Sequence, residues 1–185
     1  MTDTRQSYSG FTVALHWVTA ALVVSQVSIP IVTEDLARPE RMFWMNAHKS
    51  LGLVLMVVTL ARLAVRLGRP LMPLPGAMAG WERFLARATQ IAFYILLIGL
   101  PLGGWIASTA AGRPIQFFGF FPWPNLPFVP LDGGLAKTVK GLHEIGGKAL
   151  IGLIILHVLG ALKHYLVDKD NVLQRMVPFL SRRPG

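Results

Sequence analysis

The sequence contains no cysteine. That excludes disulfides, covalent attachment of a c-type haem, and thiolate-held zinc or iron–sulfur centres, so any metal here is bound through nitrogen or oxygen. Acidic residues are scarce, nine against 18 Lys and Arg in 185 residues, which leaves a net charge of +9. That excess needs no nucleic acid, because membrane topology and anionic lipid headgroups account for it. There is no internal repeat and no low-complexity tail. The seven methionines form no Met-x-x-Met track of the kind a copper carrier would use, and no segment reads as a docking domain for a protein partner.

What the chain has in abundance is apolar length. Hydrophobic residues make up 53% of it, and they gather in four runs, roughly 11–32, 43–67, 88–110 and 140–167. Each is close to the roughly 20 residues with which a helix crosses about 30 Å of hydrocarbon. The expectation is an all-α protein, an integral membrane four-helix bundle, with residues 1–185 forming a single membrane domain in the lipid bilayer. The first run is too long, and holds His16 too early, for a removable signal peptide, so it is expected to stay as a permanent helix. "RPLMPLP", 69–75, reads as a breaker-rich linker, and roughly 76–87 as a short interfacial segment leading into the third span. Pro101, with Gly99, Gly103 and Gly104, is expected to bend the third helix, and helix packing is the simpler use of those glycines.

Basic residues set the orientation. The link between the second and third runs carries, with its flanks, Arg62, Arg66, Arg69, Arg83 and Arg87 against Glu82 alone, and the C-terminus adds Lys169, Arg175, Arg182 and Arg183. The positive-inside rule puts this link and both termini in the cytoplasm. "TEDLARPERM" and the aromatic, proline-rich "GRPIQFFGFFPWPNLPFVPLDGG" then lie outside, the latter as a loop at the membrane surface.

All five histidines fall in or at the ends of the spans. With about 1.5 Å rise and 100° per residue, His143 and His157 stand roughly 21 Å apart along the fourth helix and differ by only about 40° in direction. One mononuclear site cannot hold both. His48, early in a helix that starts outside, shares a level with His143, while His16, early in a helix that starts inside, shares one with His157 or His164. Spacing leaves open which of those two partners His16, since His164 lies only about 20° and 10 Å from His157. A lone histidine in a bundle is a hydrogen-bonded polar residue roughly half the time. Four that match by depth are better explained together. Two imidazoles from facing helices, at each of two levels, are what bis-histidine ligation of two b-type haems requires, and Gly52, Gly146, Gly147, Gly152 and Gly160 leave room beside them.

Charges fall near both levels. Arg62 and Arg66 follow His48 by 14 and 18 positions on nearly one helical face, which places them at the inner level, where haem propionates would be neutralised. Lys49 and Lys148 stand near the outer pair, and Arg113, Lys137 and Lys140 belong to the same surface. For each lysine alone, snorkelling to headgroups is the simpler reading.

The motifs "ALHW", "NAHKSLG", "ARLAVRLGRP", "GLHEIGG" and "LHVLGALKHYLVDKDNVLQRMVP" together resemble the bacterial cytochrome b561 family over essentially the whole chain. The most specific is "H-x6-H-Y" followed by "KDN-x-L-x-R-M-x-P". The resemblance implies four helices, two haem b, and a place in the bacterial inner (cytoplasmic) membrane. By position it implies that His16 and His157 hold the inner haem iron and His48 and His143 the outer. His164 matches a family histidine that is not an axial ligand, with a quinone site or a haem propionate as its implied role.

It further implies single-electron transfer between an outer-side donor and the membrane quinone pool, with ubiquinone as acceptor. Some members are similar to superoxide oxidases, and a basic outer surface would steer a small anion such as superoxide toward a haem. A haem-bearing anchor subunit of a hydrogenase or dehydrogenase is the related alternative. From a different class, a histidine-based metal-ion binding or transport protein needs three or four ligands at one depth, and here they arrive in twos. A purely structural scaffold explains the matched levels least well.

Overall fold

The computed structural model describes residues 8–68, 78–177 and 179–180. Among them are four α-helices, α1 (Gly10–Val32), α2 (Arg38–Leu67), α3 (Gly80–Ala110) and α4 (Gly133–Leu166). All four are long and apolar enough to cross a membrane. The linker at 69–75, with Arg69, and the terminal Arg182 and Arg183 lie outside the described residues.

Local chemistry sets the helix ends. The Ser9 hydroxyl accepts from the Thr12 amide at the start of α1, and Pro39 sits in the first turn of α2, where its missing N–H costs nothing. The Glu82 carboxylate accepts from the Ala79 amide at 2.9 Å, which starts α3 at Gly80. The region read as a separate interfacial segment is therefore, from Gly80 to Arg87, the first two turns of α3 itself. Asp132 accepts from the amides of Gly134 and Leu135 at 2.7 and 3.1 Å. That cap starts α4 at Gly133, seven residues before the apolar run, so its first two turns carry Lys137 ahead of the run and Lys140 at its start. Hydroxyls inside α1 are satisfied by the helix: Thr19 donates to the Leu15 carbonyl and Ser25 to that of Ala21.

Close packing runs from α1 to α2, α2 to α3 and α3 to α4. Lipid tails are as apolar as leucine, so this packing rests on shape rather than on removal from water. Gly146 shows the shape requirement: a Cβ there would stand 2.7 Å from Leu100 Cδ2 of α3. Neither α1 nor α2 packs its backbone closely along α4. The buried core is a small layer of Val23, Leu55, Leu97 and Leu150, with Leu22, Phe93, Leu96, Leu100 and Ile154 against it. Large apolar side chains such as Val24, Ile95 and Leu159 face outward, as in a lipid-exposed bundle.

The link between α3 and α4 adds a two-stranded antiparallel hairpin, β1 (Gln116–Phe117) and β2 (Phe121–Pro122), turned through Phe118 and Gly119 at φ 47° and 80°. α2 holds it in place. Asn46 donates its amide to the Gln116 carbonyl at 2.5 Å and accepts the Gln116 N–H at 3.1 Å, as a neighbouring strand would. Ser50, with no exposed surface, accepts the Phe118 amide at 3.0 Å, which supports Phe118 in its left-handed conformation. Phe117, Phe121, Trp123 and Trp105 pack ring against ring around it.

Candidate functional site

Two histidine pairs bridge the space that the helix backbones leave between α4 and its partners α1 and α2. The rings of His16 and His157 have centroids 6.3 Å apart, and those of His48 and His143 are 6.1 Å apart. His164 does not join either pair. Its Nδ1 donates instead to Asp170 at 2.7 Å, with Asp168 at 3.2 Å.

The spacing of the pairs has a chemical meaning. A ligating imidazole nitrogen lies about 2.0 Å from its metal and roughly 1.15 Å from its own ring centre, so two imidazoles on opposite sides of one metal have centroids about 6.3 Å apart. Both pairs stand close to that distance, with the two ring planes at 62° and 70° to one another. The nitrogen chemistry agrees. His143 Nδ1 lies 3.0 Å from the Leu100 carbonyl oxygen, and a carbonyl only accepts, so Nδ1 carries the proton and Nε2 keeps its lone pair. Nδ1 of His16 and of His48 is buried without a hydrogen-bond partner. The residues therefore fit one metal between each pair. Gly147, Gly152 and Gly160 open onto free space, which a flat macrocycle around such a metal would need. Gly52 and Gly146 do not leave room: the first faces Gln26 and Pro101, the second Leu100.

The family model of prokaryotic cytochrome b561 matches residues 7–179. The chain belongs to this family. It is similar to Cytochrome b561 homolog 2 of Escherichia coli (strain K12), 31% identical over 182 residues, covering 95% of this chain and 94% of the relative. The Probable superoxide oxidase CybB of Yersinia pestis is 30% identical over 175 residues, 94% of this chain and 97% of that one. Cytochrome b561 homolog 1 of the same E. coli strain is 28% identical over 177 residues. The protein is thus a multi-pass bacterial membrane electron-transfer protein of the cytochrome b561 family, and membership implies b-type haem.

Within this cytochrome b561 scaffold the basic residues divide. Arg62 acts electrostatically on both His16 and His157 and hydrogen-bonds the Tyr94 hydroxyl of α3. Arg66 is engaged elsewhere, donating to the Gln90 amide oxygen at 3.0 Å and so tying α2 to α3. Lys49 is half-buried beside Arg113, near His48. Lys137 is exposed, and Lys140 pairs with Glu144 at 3.2 Å. Lys148 is exposed, five residues past His143 and about 140° around α4 from it.

Several contacts could not be read from the sequence. Phe93 of α3 lies edge-on to His157, with ring centroids 5.4 Å apart, yet nothing marks it among the apolar residues of its run. Gln26 donates to the His48 carbonyl at 2.9 Å, and Trp17, beside His16, donates to the Met176 carbonyl at 2.8 Å. This last bond folds the chain after α4 back against α1. Asp170 had a signal, standing inside the "KDN" motif. The group His164, Asp168 and Asp170 has cation-binding geometry, but Lys163 already neutralises Asp168 at 2.8 Å and bridges to Glu82 at the same distance.

Proposed function

We propose that the chain is a di-haem b cytochrome that passes single electrons from a donor on the outer side to the membrane quinone pool, with ubiquinone as acceptor. The supporting observation is the pair of imidazole–imidazole separations, 6.3 and 6.1 Å, at two depths of one bundle. On this reading His16 and His157 hold the inner iron and His48 and His143 the outer. Haem b supplies reversible one-electron chemistry at iron.

The protein's own residues supply the rest. Four histidines fix position, and the proton on His143 Nδ1 keeps Nε2 free as a donor atom. Arg62 neutralises negative charge beside the inner pair, with Arg66 a turn further in. Lys49 and Arg113 do the same at the outer pair. His164, held by Asp170, is left over from ligation and lies near the quinone on this reading. Both termini are cytoplasmic, and the membrane is the bacterial inner membrane.

For the donor we propose superoxide, on the strength of the relative named as a probable superoxide oxidase and of the cations at the outer surface. Two superoxide anions oxidised to two dioxygen release two electrons, and ubiquinone takes those with two protons to become ubiquinol. The lysines Lys49, Lys137, Lys140 and Lys148 then serve as the steering field for a small anion.

The deciding experiment is the dithionite-reduced minus oxidised spectrum of detergent-purified protein, with a pyridine haemochrome count. Sharp low-spin bands and two haem b per chain are expected. A colourless protein would return metal-ion binding to first place.

A further inference from the structure

Past α4 the chain turns back on itself, and the turn is held at each step. Lys169 takes a left-handed conformation, φ 54°, which reverses the chain. Asp170 then fastens it at two points: one carboxylate oxygen accepts from His164 Nδ1 at 2.7 Å and the other from the Val172 amide at 3.0 Å. A single 3₁₀ turn, Leu173–Arg175, follows, and the Met176 carbonyl accepts from Trp17 Nε1 of α1 at 2.8 Å. Trp17 in turn lies edge-on to His16, ring centroids 5.4 Å apart. This strap, 167–177, thus crosses from α4 to α1 beside the inner histidine pair, where the two helix backbones do not pack closely.

Gln174 is the anomaly in the strap. It is 1% exposed, yet neither its amide nitrogen nor its amide oxygen has a hydrogen-bond partner. An amide buried in this way is costly, and native proteins almost always pair it. A side chain so fully covered, on a segment that lies across the end of the bundle, faces the bundle interior. Two more polar groups stand at that end. The hydroxyl of Thr59, itself 1% exposed, has no partner; eleven residues after His48, it points within about 20° of the same direction and lies roughly 16 Å further in. Arg62, three residues on, acts on both His16 and His157 and is met by Tyr94 but by no carboxylate among the described residues. An amide, a hydroxyl and a cation there all lack an acidic oxygen.

We propose that the strap closes over the inner haem and that Gln174 is one of its binding residues, donating from Nε2 to a propionate carboxylate while a water held there donates to Oε1. The proposal rests on the two-haem reading. It makes His164 and Asp170 the fastening of the strap, which gives the "KDN" motif a task separate from iron ligation. It also makes closure a consequence of loading, because without the inner haem the Gln174 amide stays unpaired and the strap is held less firmly.

The test uses full-length, haem-loaded protein in detergent: wild type, Gln174→Leu, Trp17→Phe and His157→Ala. Haem release to excess apomyoglobin should show two phases in the wild type, and His157→Ala, keeping only the outer haem, identifies the outer one. Gln174→Leu should purify with both haems, release the inner about tenfold faster, as loss of a hydrogen bond to a charged group implies, and leave the outer rate unchanged. Its resonance Raman propionate-bending band should shift. Trp17→Phe, which deletes the bond to Met176, should also speed inner release. Trypsin should cleave after Arg175 readily in His157→Ala and slowly in the wild type. An unmoved band or unchanged inner release in Gln174→Leu, equal acceleration of both phases, or equal cleavage of wild type and His157→Ala would overturn the proposal while leaving two haems intact. Wild-type protein without haem, or His157→Ala that keeps both, would overturn the two-haem reading and the proposal with it. Where Gln174→Leu fails to fold, the Trp17→Phe release rate and the cleavage comparison decide.

Discussion

A histidine in a membrane helix is costly unless its nitrogens are engaged, since hydrocarbon offers neither donor nor acceptor. Among the described residues, Nδ1 of His143 has a carbonyl and Nδ1 of His164 a carboxylate. For His16 and His48 Nδ1 is buried and unpartnered, and on the proposed two-haem reading the iron would engage the other ring nitrogen. It follows that His16→Ala or His157→Ala should remove one haem and His48→Ala or His143→Ala the other. His164→Ala should retain both. Pyridine haemochrome counts on each purified variant check this, and loss of both haems from every variant that keeps its helical circular dichroism would contradict the two-level assignment. The depths of the histidines were legible in the sequence because helical rise converts residue number directly into height. Their hydrogen-bond partners were not. The Leu100 carbonyl is a backbone atom on another helix, and no side-chain pattern advertises it.

Among the elements, the four spans could be read from apolar length alone, while their ends needed the caps. Asp132 lengthens α4 toward the outside, and Glu82 makes the supposed interfacial segment part of α3. The hairpin was invisible because Gln116–Pro122 lacks the alternation of a strand; its shape comes from Asn46 and Ser50, two residues to either side of His48. Asn46→Ala removes both of its bonds to Gln116, leaving that amide unpaired and the carbonyl with only the Ser50 hydroxyl at 3.2 Å. A loss of about 1–3 kcal/mol is expected, read as a lower melting temperature and faster proteolysis within 112–131. At the α3–α4 contact, Gly146→Val places its Cβ into Leu100, and packing of that kind costs about 1–3 kcal/mol. Leu100 also presents the carbonyl that holds His143, so haem should be lost from the outer site before the protein unfolds, which a thermal melt followed at the Soret band would resolve.

For the whole molecule, the unequal distribution of basic residues predicts its orientation. A fluorescent protein fused after Gly185 should fluoresce in cells, and alkaline phosphatase fused at the same point should be inactive; the opposite pattern would reverse the membrane sidedness and with it the outer and inner labels used above. The steering role proposed for the outer cations would carry its own signature. Superoxide oxidation by protein bearing Lys49→Gln and Lys137→Gln should be slower at low salt and approach the wild-type rate as salt screens the surface, over a Debye length of about 10 Å at 0.1 M. Lys140 should contribute less, because Glu144 already balances it.

The layer of Val23, Leu55, Leu97 and Leu150 lies between the two histidine levels, and Leu150 stands seven residues from both His143 and His157. None of these side chains can take up or release a proton. An electron passing between the two levels therefore leaves no ionic current to cancel it, and the layer acts as the insulator of a capacitor. Each charge moved across the full membrane against 100 mV stores about 2.3 kcal/mol, so the same leucines that pack the bundle would let its redox chemistry be held as voltage.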